Sequence, residues 1–352
     1  MPDSDFRKAF TTHSNYLNAF AYAVDRTYTP ARMNKYVWTV LGRTPSDVQA
    51  GMLWFFNQGM KPAAAKIELN TTDIGAALRQ SWTTELLMAT TRQFMPPEGR
   101  GASNNWTVVQ AFYAIFHAAR ALAISSGRSA RMSHAACQRF FHDWWSMRSF
   151  KPSPWSLSFD VSGLANSPSS TTALPSNLAN CTPHNCFDFV RLALKTTWDQ
   201  ERAESLRNAR VTKLRLAQKA YDELATARAA KGLKATGRRP SGAKLTPAER
   251  AAGERSVRPH TMIDYLYRLR LRSNYVDAAM WTDGPSTIGE SVAVHDNLAF
   301  ITASTLFASE ISLRAILGPS IFDQLVSDSA ATGWASAVAG EGILGRRVLL
   351  CA

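Results

Sequence analysis

Residues 111–127 read AFYAIFHAARALAISSG and constrain the fold of this chain more than any other stretch. At helical spacing Phe112, Ile115, Phe116, Ala119 and Leu122 share one face, and Tyr113, His117, Arg120 and Ile124 fall on the adjoining stripe. An apolar face of that length needs partners, which points to a helical bundle. His117 and Arg120 then pose the functional question, because they are polar, three residues apart and on one side of a core helix. One reading makes His117 a hydrogen-bonded boundary residue and Arg120 the partner of a carboxylate from another helix. The other makes the pair part of a site.

The remaining periodicity is also helical, so the expected fold class is all-α. The first seventy residues are mixed in signal: VWTVLG (37–42) has the look of a short strand, and PSDVQAGMLWFFNQGM (45–60) that of a capped helix. A helix is expected over 73–94, with Ile74, Leu78, Trp82, Leu86 and Leu87 on one side, and MPPEGRG (95–101) breaks it. Ser103 is placed to cap the apolar helix, Gly127 to end it, and Ser133 to cap HAACQRFFHDWW. Residues 149–180 are rich in Ser, Pro and Asn and read as a long loop or an irregular insert. A helix resumes at 187 and runs to about 231, its second half basic. Residues 232–258 combine Gly, Pro and charge without a core face and read as a mobile linker that trypsin would cut first. Helices follow over 261–281 and 287–317, with room for one more short helix after Gly318.

Charge narrows the partner class. The formal net charge is +13, and fifteen Lys/Arg against seven Asp/Glu between Asp199 and Arg258 hold +8 of it. Such a concentration favours polyanions, nucleic acid ahead of a membrane surface; the bland alternative is a solvated helix and a basic linker. Arg207, Arg210 and Lys213 lead that basic segment. No apolar signal region opens the chain and no run of about 18 apolar residues occurs, so a cytoplasmic protein without a membrane partner is expected. Four cysteines are too few for a disulfide framework. CTPHNC puts Cys181, His184 and Cys186 within reach of a zinc ion, with Cys137 or His142 as a fourth ligand, but the same residues suit a helix start. No phosphate loop, HExxH, GxSxG or spaced carboxylate set is present, so neither a metal nor a cofactor is called for.

Two pairs of motifs carry a family resemblance. NNWTVVQAFYAIFHAARALAISSG followed by SHAACQRFF resembles the first signature of HEPN domains, and IDYLYRLRLRSNYVDAAMW (263–281) is similar to their later helix, with Arg272, Asn274 and Tyr275 at its motif. GESVAVHDNLAFITASTLFASEISLRAIL takes the place of the closing helix. The resemblance implies a HEPN-like helical bundle in two halves, 71–146 and 260–352, preceded by an N-terminal region (1–70) and split by an insertion (147–259). It further implies binding of RNA or a nucleotide, in a toxin–antitoxin or antiviral-defence setting, by a protein that often forms homodimers and meets a protein partner or antitoxin. Many relatives are metal-independent ribonucleases that need an Arg, four to six residues, then a His, so that the arginine holds a phosphate while the histidine moves a proton. Three such spacings occur here, Arg7–His13, Arg128–His134 and Arg255–His260, and none falls on the helix where the family places it.

The resulting expectation is a phosphate-sized pocket in which Tyr113, His117 and Arg120 face Arg272 and Tyr275 across the bundle, with Asn274 a further phosphate-binding candidate. His117 is its candidate acid or base, which would make metal-independent RNA cleavage the enzymatic form of the reading. Helices 103–126 and 261–281 must then pack directly against each other. The rival from another class is a non-catalytic helical interaction protein that binds a partner or itself through Trp and Phe surfaces.

Overall fold

The structure is a computed structural model that describes residues 3–29, 45–59, 69–166, 180–234, 237–275 and 278–330. In chain order its helices are α1 (Asp3–Tyr28), α2 (Pro45–Gly59), α3 (Thr71–Phe94), α4 (Pro97–Ala102), α5 (Asn104–Ser125), α6 (His134–Ser146), α7 (Cys186–Ala229), α8 (Pro247–Arg255), α9 (Met262–Tyr275), α10 (Ala278–Asp283), α11 (Ile288–Leu317) and α12 (Pro319–Ala330). One small antiparallel hairpin, β1 (Ser158–Asp160) and β2 (Gly163–Ala165), interrupts them. The fold is all-α, as the periodicity predicts.

Two long apolar helices form the centre. On α5 the buried residues are not confined to one stripe; Ala111, Phe112, Ala114, Ile115, Ala118, Ala119 and Ala121 are all in the core, as expected of a helix enclosed by neighbours. Those neighbours are α3, α11, α9 and α6, so the two family-like segments do pack directly against each other. Both α5 and α11 are long and apolar enough to cross a membrane by length and composition, but most of each is buried inside the fold. Core burial accounts for their apolarity.

Several polar atoms on these helices are matched between elements. The Ser81 hydroxyl donates to the Ala114 carbonyl at 2.8 Å, Trp82 Nε1 to Glu310 at 2.9 Å, and Trp155 Nε1 to Thr305 at 2.8 Å. Gly127 ends the α5 segment with a φ of 80°, as its position suggests. Ser133 caps α6 by accepting from the Ala136 amide. Ser103 is the N-cap of α5 but does not cap it with its side chain, because its hydroxyl donates back to the Arg100 carbonyl.

Three expectations are corrected. The N-terminal segment is not a separate region: α1 packs on α7, α11 and α10, with Leu17, Ala19 and Phe20 in the same core. The proposed strand at 37–42 lies outside the described residues. The Ser/Pro-rich stretch is irregular yet buried, since residues 152–159 all lie inside and Trp155 stacks on Tyr28; residues 167–179 are outside the described set. Aromatic content, not periodicity, was the signal there.

The third correction positions the basic segment. Buried residues on α7 stop at Leu206, so Arg207–Ala229 extends past the core for about 35 Å at 1.5 Å per residue. Residues 237–258 do not dangle. They return antiparallel along α7 through Tyr221 to the Gly237 carbonyl, Arg239 to Asp222, Gln218 to the Pro240 carbonyl, Lys213 to Glu249 and Arg202 to Glu254. A capping box between Thr246 and Glu249 starts α8. Polar contacts hold most of this returning segment, with Val257 and the Leu206–Gly253 approach adding apolar contact only at its base, which is why the absence of an apolar face read as mobility.

Candidate functional site

The predicted pocket is split by the helical period of α9. Successive arginines at 268, 270 and 272 are about 200° apart in turn, so Arg268 and Arg272 share one face and Arg270 takes the other. It is Arg270 that faces α5. Its Nη1 donates to the Tyr113 hydroxyl at 2.6 Å, and its guanidinium lies 5.0–5.3 Å from the rings of Phe112, Tyr113 and Tyr267. Arg272 instead points toward α1, where its Nη1 donates to His13 Nε2 at 3.2 Å. The sequence-based pairing of Arg272 with His117 and Arg120 is therefore wrong: the motif supplied the right helix and the wrong face. Asn274 is exposed, and the Tyr275 side chain lies outside the described residues.

His117 and Arg120 fit neither expectation in full. Arg120 Nε donates to the Ala130 carbonyl at 2.8 Å, fixing the turn before α6 in place of a carboxylate. His117 lies half-buried against Tyr113, ring on ring at 6.1 Å, and its Nδ1 is buried with no hydrogen-bond partner. Burial, with help from the nearby Arg120 charge and His134, pulls its pKa down to about 4, so the ring is neutral at pH 7.

His134, the first residue of α6, completes the cluster and was not chosen from the sequence as a site residue. Its ring packs 4.7 Å from Phe116, 5.6 Å from Tyr267 and 6.2 Å from Tyr113. Desolvation and then Arg270 lower its pKa, and its Nδ1 is also buried and unpartnered, as is Arg270 Nε. Three nitrogens without partners thus lie at the junction of α5, α6 and α9. The available signal was helical: Phe116, His117 and Arg120 face whatever α6 presents first, and that is Ser133-His134.

None of the three Arg–His spacings joins its own members. Arg7 forms a forked pair with Glu290 at 2.5 and 2.8 Å, while His13 meets Tyr265 and Arg272. His260 is fully buried between Glu201 and the Arg258 carbonyl, and Arg255 is exposed. Arg128 is exposed on the turn before α6.

The CTPHNC residues do not form a ligand set either: the two thiols lie near each other, but the histidine does not join them. Cys181 and Cys186 are buried and His184 is exposed; burial pushes both thiols up, Cys186 to about 11. Among the described residues no three His, Cys, Asp or Glu side chains are gathered as a ligand set. Cys137 sits in the core with its thiol on the Phe116 carbonyl, and His142 pairs with Asp143.

On the arm, Arg207 and Arg210 are exposed, and Lys213 is partly neutralised by Glu249 at 2.6 Å. Arg207, Arg210, Arg215, Lys231, Lys234 and Arg238 have no carboxylate partner among the described residues. The base of the arm is held differently, by Glu201 on His260 at 2.8 Å and by Arg268 on Glu201 and Glu204. Acidic residues hold the base of the arm to the body and pair with some cations farther out, Asp222 with Arg239 and Glu249 with Lys213, while the six cations named above are left to solvent. Comparison with family models, curated proteins and solved structures gives no match to this chain.

Proposed function

We propose that this chain is a HEPN-like RNA-binding protein whose basic arm grips the phosphodiester backbone. The observation behind the proposal is the row of exposed, carboxylate-free cations on the part of α7 that projects beyond the core and on its returning strand. Free guanidinium groups at that spacing release counterions when they meet phosphates, which is the main source of sequence-independent affinity. RNA is the polyanion named because the α5–α6 and α9 motifs resemble those of a family that acts on it, and cytoplasmic residence follows from that choice. Cleavage is left out of the proposal, since no arginine lies beside the histidine of its own motif.

Reversing three arm charges, Arg207→Glu, Arg210→Glu and Arg215→Glu, tests this directly. All three side chains are exposed, so the fold should tolerate the changes. Affinity for a single-stranded RNA at moderate salt should fall by about tenfold or more. Unchanged affinity would remove the arm from the function.

A second reading has its own observation. Phe94, Met95 and Trp106 are exposed around the α3–α5 connection, with Trp106 61% exposed. Such side chains fit an interaction protein that self-associates or docks on a partner. Salt-insensitive self-association that Trp106→Ser abolishes, without any RNA binding, is the outcome that favours it.

A further inference from the structure

Two other arginines, on α9 and just before it, have counter-ions. Arg268 meets Glu201 and Glu204, and Arg258 is clamped to the buried Asp264. Arg270 is half-buried as they are, yet its polar contact is one phenol and the rest of its surroundings are rings. No carboxylate pairs with it among the described residues. A guanidinium withdrawn from water without an anion is costly, and here its Nε is left without an acceptor. His117 Nδ1 and His134 Nδ1 are in the same condition. All three atoms are nitrogens, all three can donate, and the side chains that carry them remain partly open to solvent.

We infer that the α5–α6–α9 junction is a binding site for a phosphate-class oxyanion, held by Arg270, His117 and His134. An oxyanion has acceptors for every unmet donor and supplies the charge that Arg270 lacks. Tyr113 orients the guanidinium, and the start of α6 adds the positive end of a helix dipole at His134. The site is separate from the arm and does not depend on RNA binding there. The phosphate could be carried by a mononucleotide or by a 5′-phosphorylated RNA end.

Proton linkage gives the site a signature. The groups facing the two imidazoles are each other, Phe112, Tyr113, Phe116 and Arg120 on α5, and Tyr267 and Arg270 on α9; among the described residues no carboxylate shifts either ring. An oxyanion reverses the local field and favours the protonated rings, so binding takes up protons. Affinity should therefore rise as pH falls from 8 toward 5.5, for an anion whose own charge is constant in that range.

The test is calorimetry on the full chain with inorganic phosphate, and with sulfate for the pH series. Binding is expected, with sulfate affinity higher at pH 5.5 than at pH 8. Arg270→Gln should weaken it by about tenfold or more; Arg270→Lys, which keeps the charge and stem, covers the case in which the glutamine variant does not fold, and should also weaken binding because it cannot supply Nε. The arm variant with three charge reversals should bind phosphate normally, which separates this site from the proposed RNA grip. Tighter binding of AMP than of phosphate identifies a nucleotide, and preference for 5′-phosphate over 5′-hydroxyl RNA identifies an RNA end. No binding at millimolar phosphate, or equal binding by wild type and both Arg270 variants, means that only ordered water occupies the junction and overturns the inference.

Discussion

Asp264 shows how much one side chain can organise. It is 2% exposed and accepts from the Thr261 amide and hydroxyl at 2.7 and 3.0 Å and from Arg258, so it joins the start of α9 to the base of the arm. Asp264→Ala strands the Arg258 charge and two donors, and should lower stability by about 3–5 kcal/mol in urea unfolding. A second residue-scale effect comes from three histidines held neutral. Burial, followed by nearby arginines, lowers His13 to about 3 and His117 and His295 to about 4. The unfolded chain takes up these protons near pH 6.5 and the folded one only near 3–4, so stability is full above pH 6.5 and falls as pH drops through that window. The urea midpoint should be lower at pH 5 than at pH 7.5, a range above the point where Glu201, Glu249 and Glu290, each lowered to about 2, begin to lose stability. A midpoint that does not move over that range contradicts the neutral histidines. His117 was legible as a polar residue on a core helix. Its partners were not, because spacing along α5 says nothing about which face of α9 is turned toward it.

At the scale of elements, apolar period was a dependable guide and polar cohesion was invisible. Helices α3, α5, α6 and α11 follow from their apolar spacing and end within a few residues of where the sequence signals place them, whereas the single helix expected over 261–281 is described as two, α9 ending at Tyr275 and α10. The 152–159 segment escaped because it is buried without a period, and the arm's return strand because carboxylate–cation pairs and a capping box hold it. Since α8 contributes no buried residue and the core face of α7 ends at Leu206, the arm should be removable. Replacing residues 210–250 by a short glycine–serine link should leave the melting temperature within about 4 °C of wild type. A larger loss would show that the arm supports the body. Close packing elsewhere is less forgiving: a Cβ at Gly51 would lie 1.7 Å from the Tyr28 carbonyl oxygen. Gly51→Ala should force α1 and α2 apart and cost about 1–3 kcal/mol.

The whole molecule combines a closed apolar bundle, a cationic arm outside it and an aromatic–histidine junction on its flank. The bundle was readable because burial writes a period into sequence, and the arm's charge because composition alone reveals it. The junction was only half readable: α5 named its own residues, while Arg270 and His134 needed the packing of α9 and α6. RNA binding by the arm makes one quantitative demand on this arrangement. If the carboxylate-free cations contact about four phosphates, the logarithm of the binding constant should fall against the logarithm of salt concentration with a slope of about −3 for single-stranded RNA. The decisive measurement is that slope, taken for the full chain and for the chain lacking residues 210–250. A slope of about −3 that collapses toward zero when the arm is removed is the predicted result; a flat slope in the full chain, or the same slope in both, contradicts RNA binding by the arm.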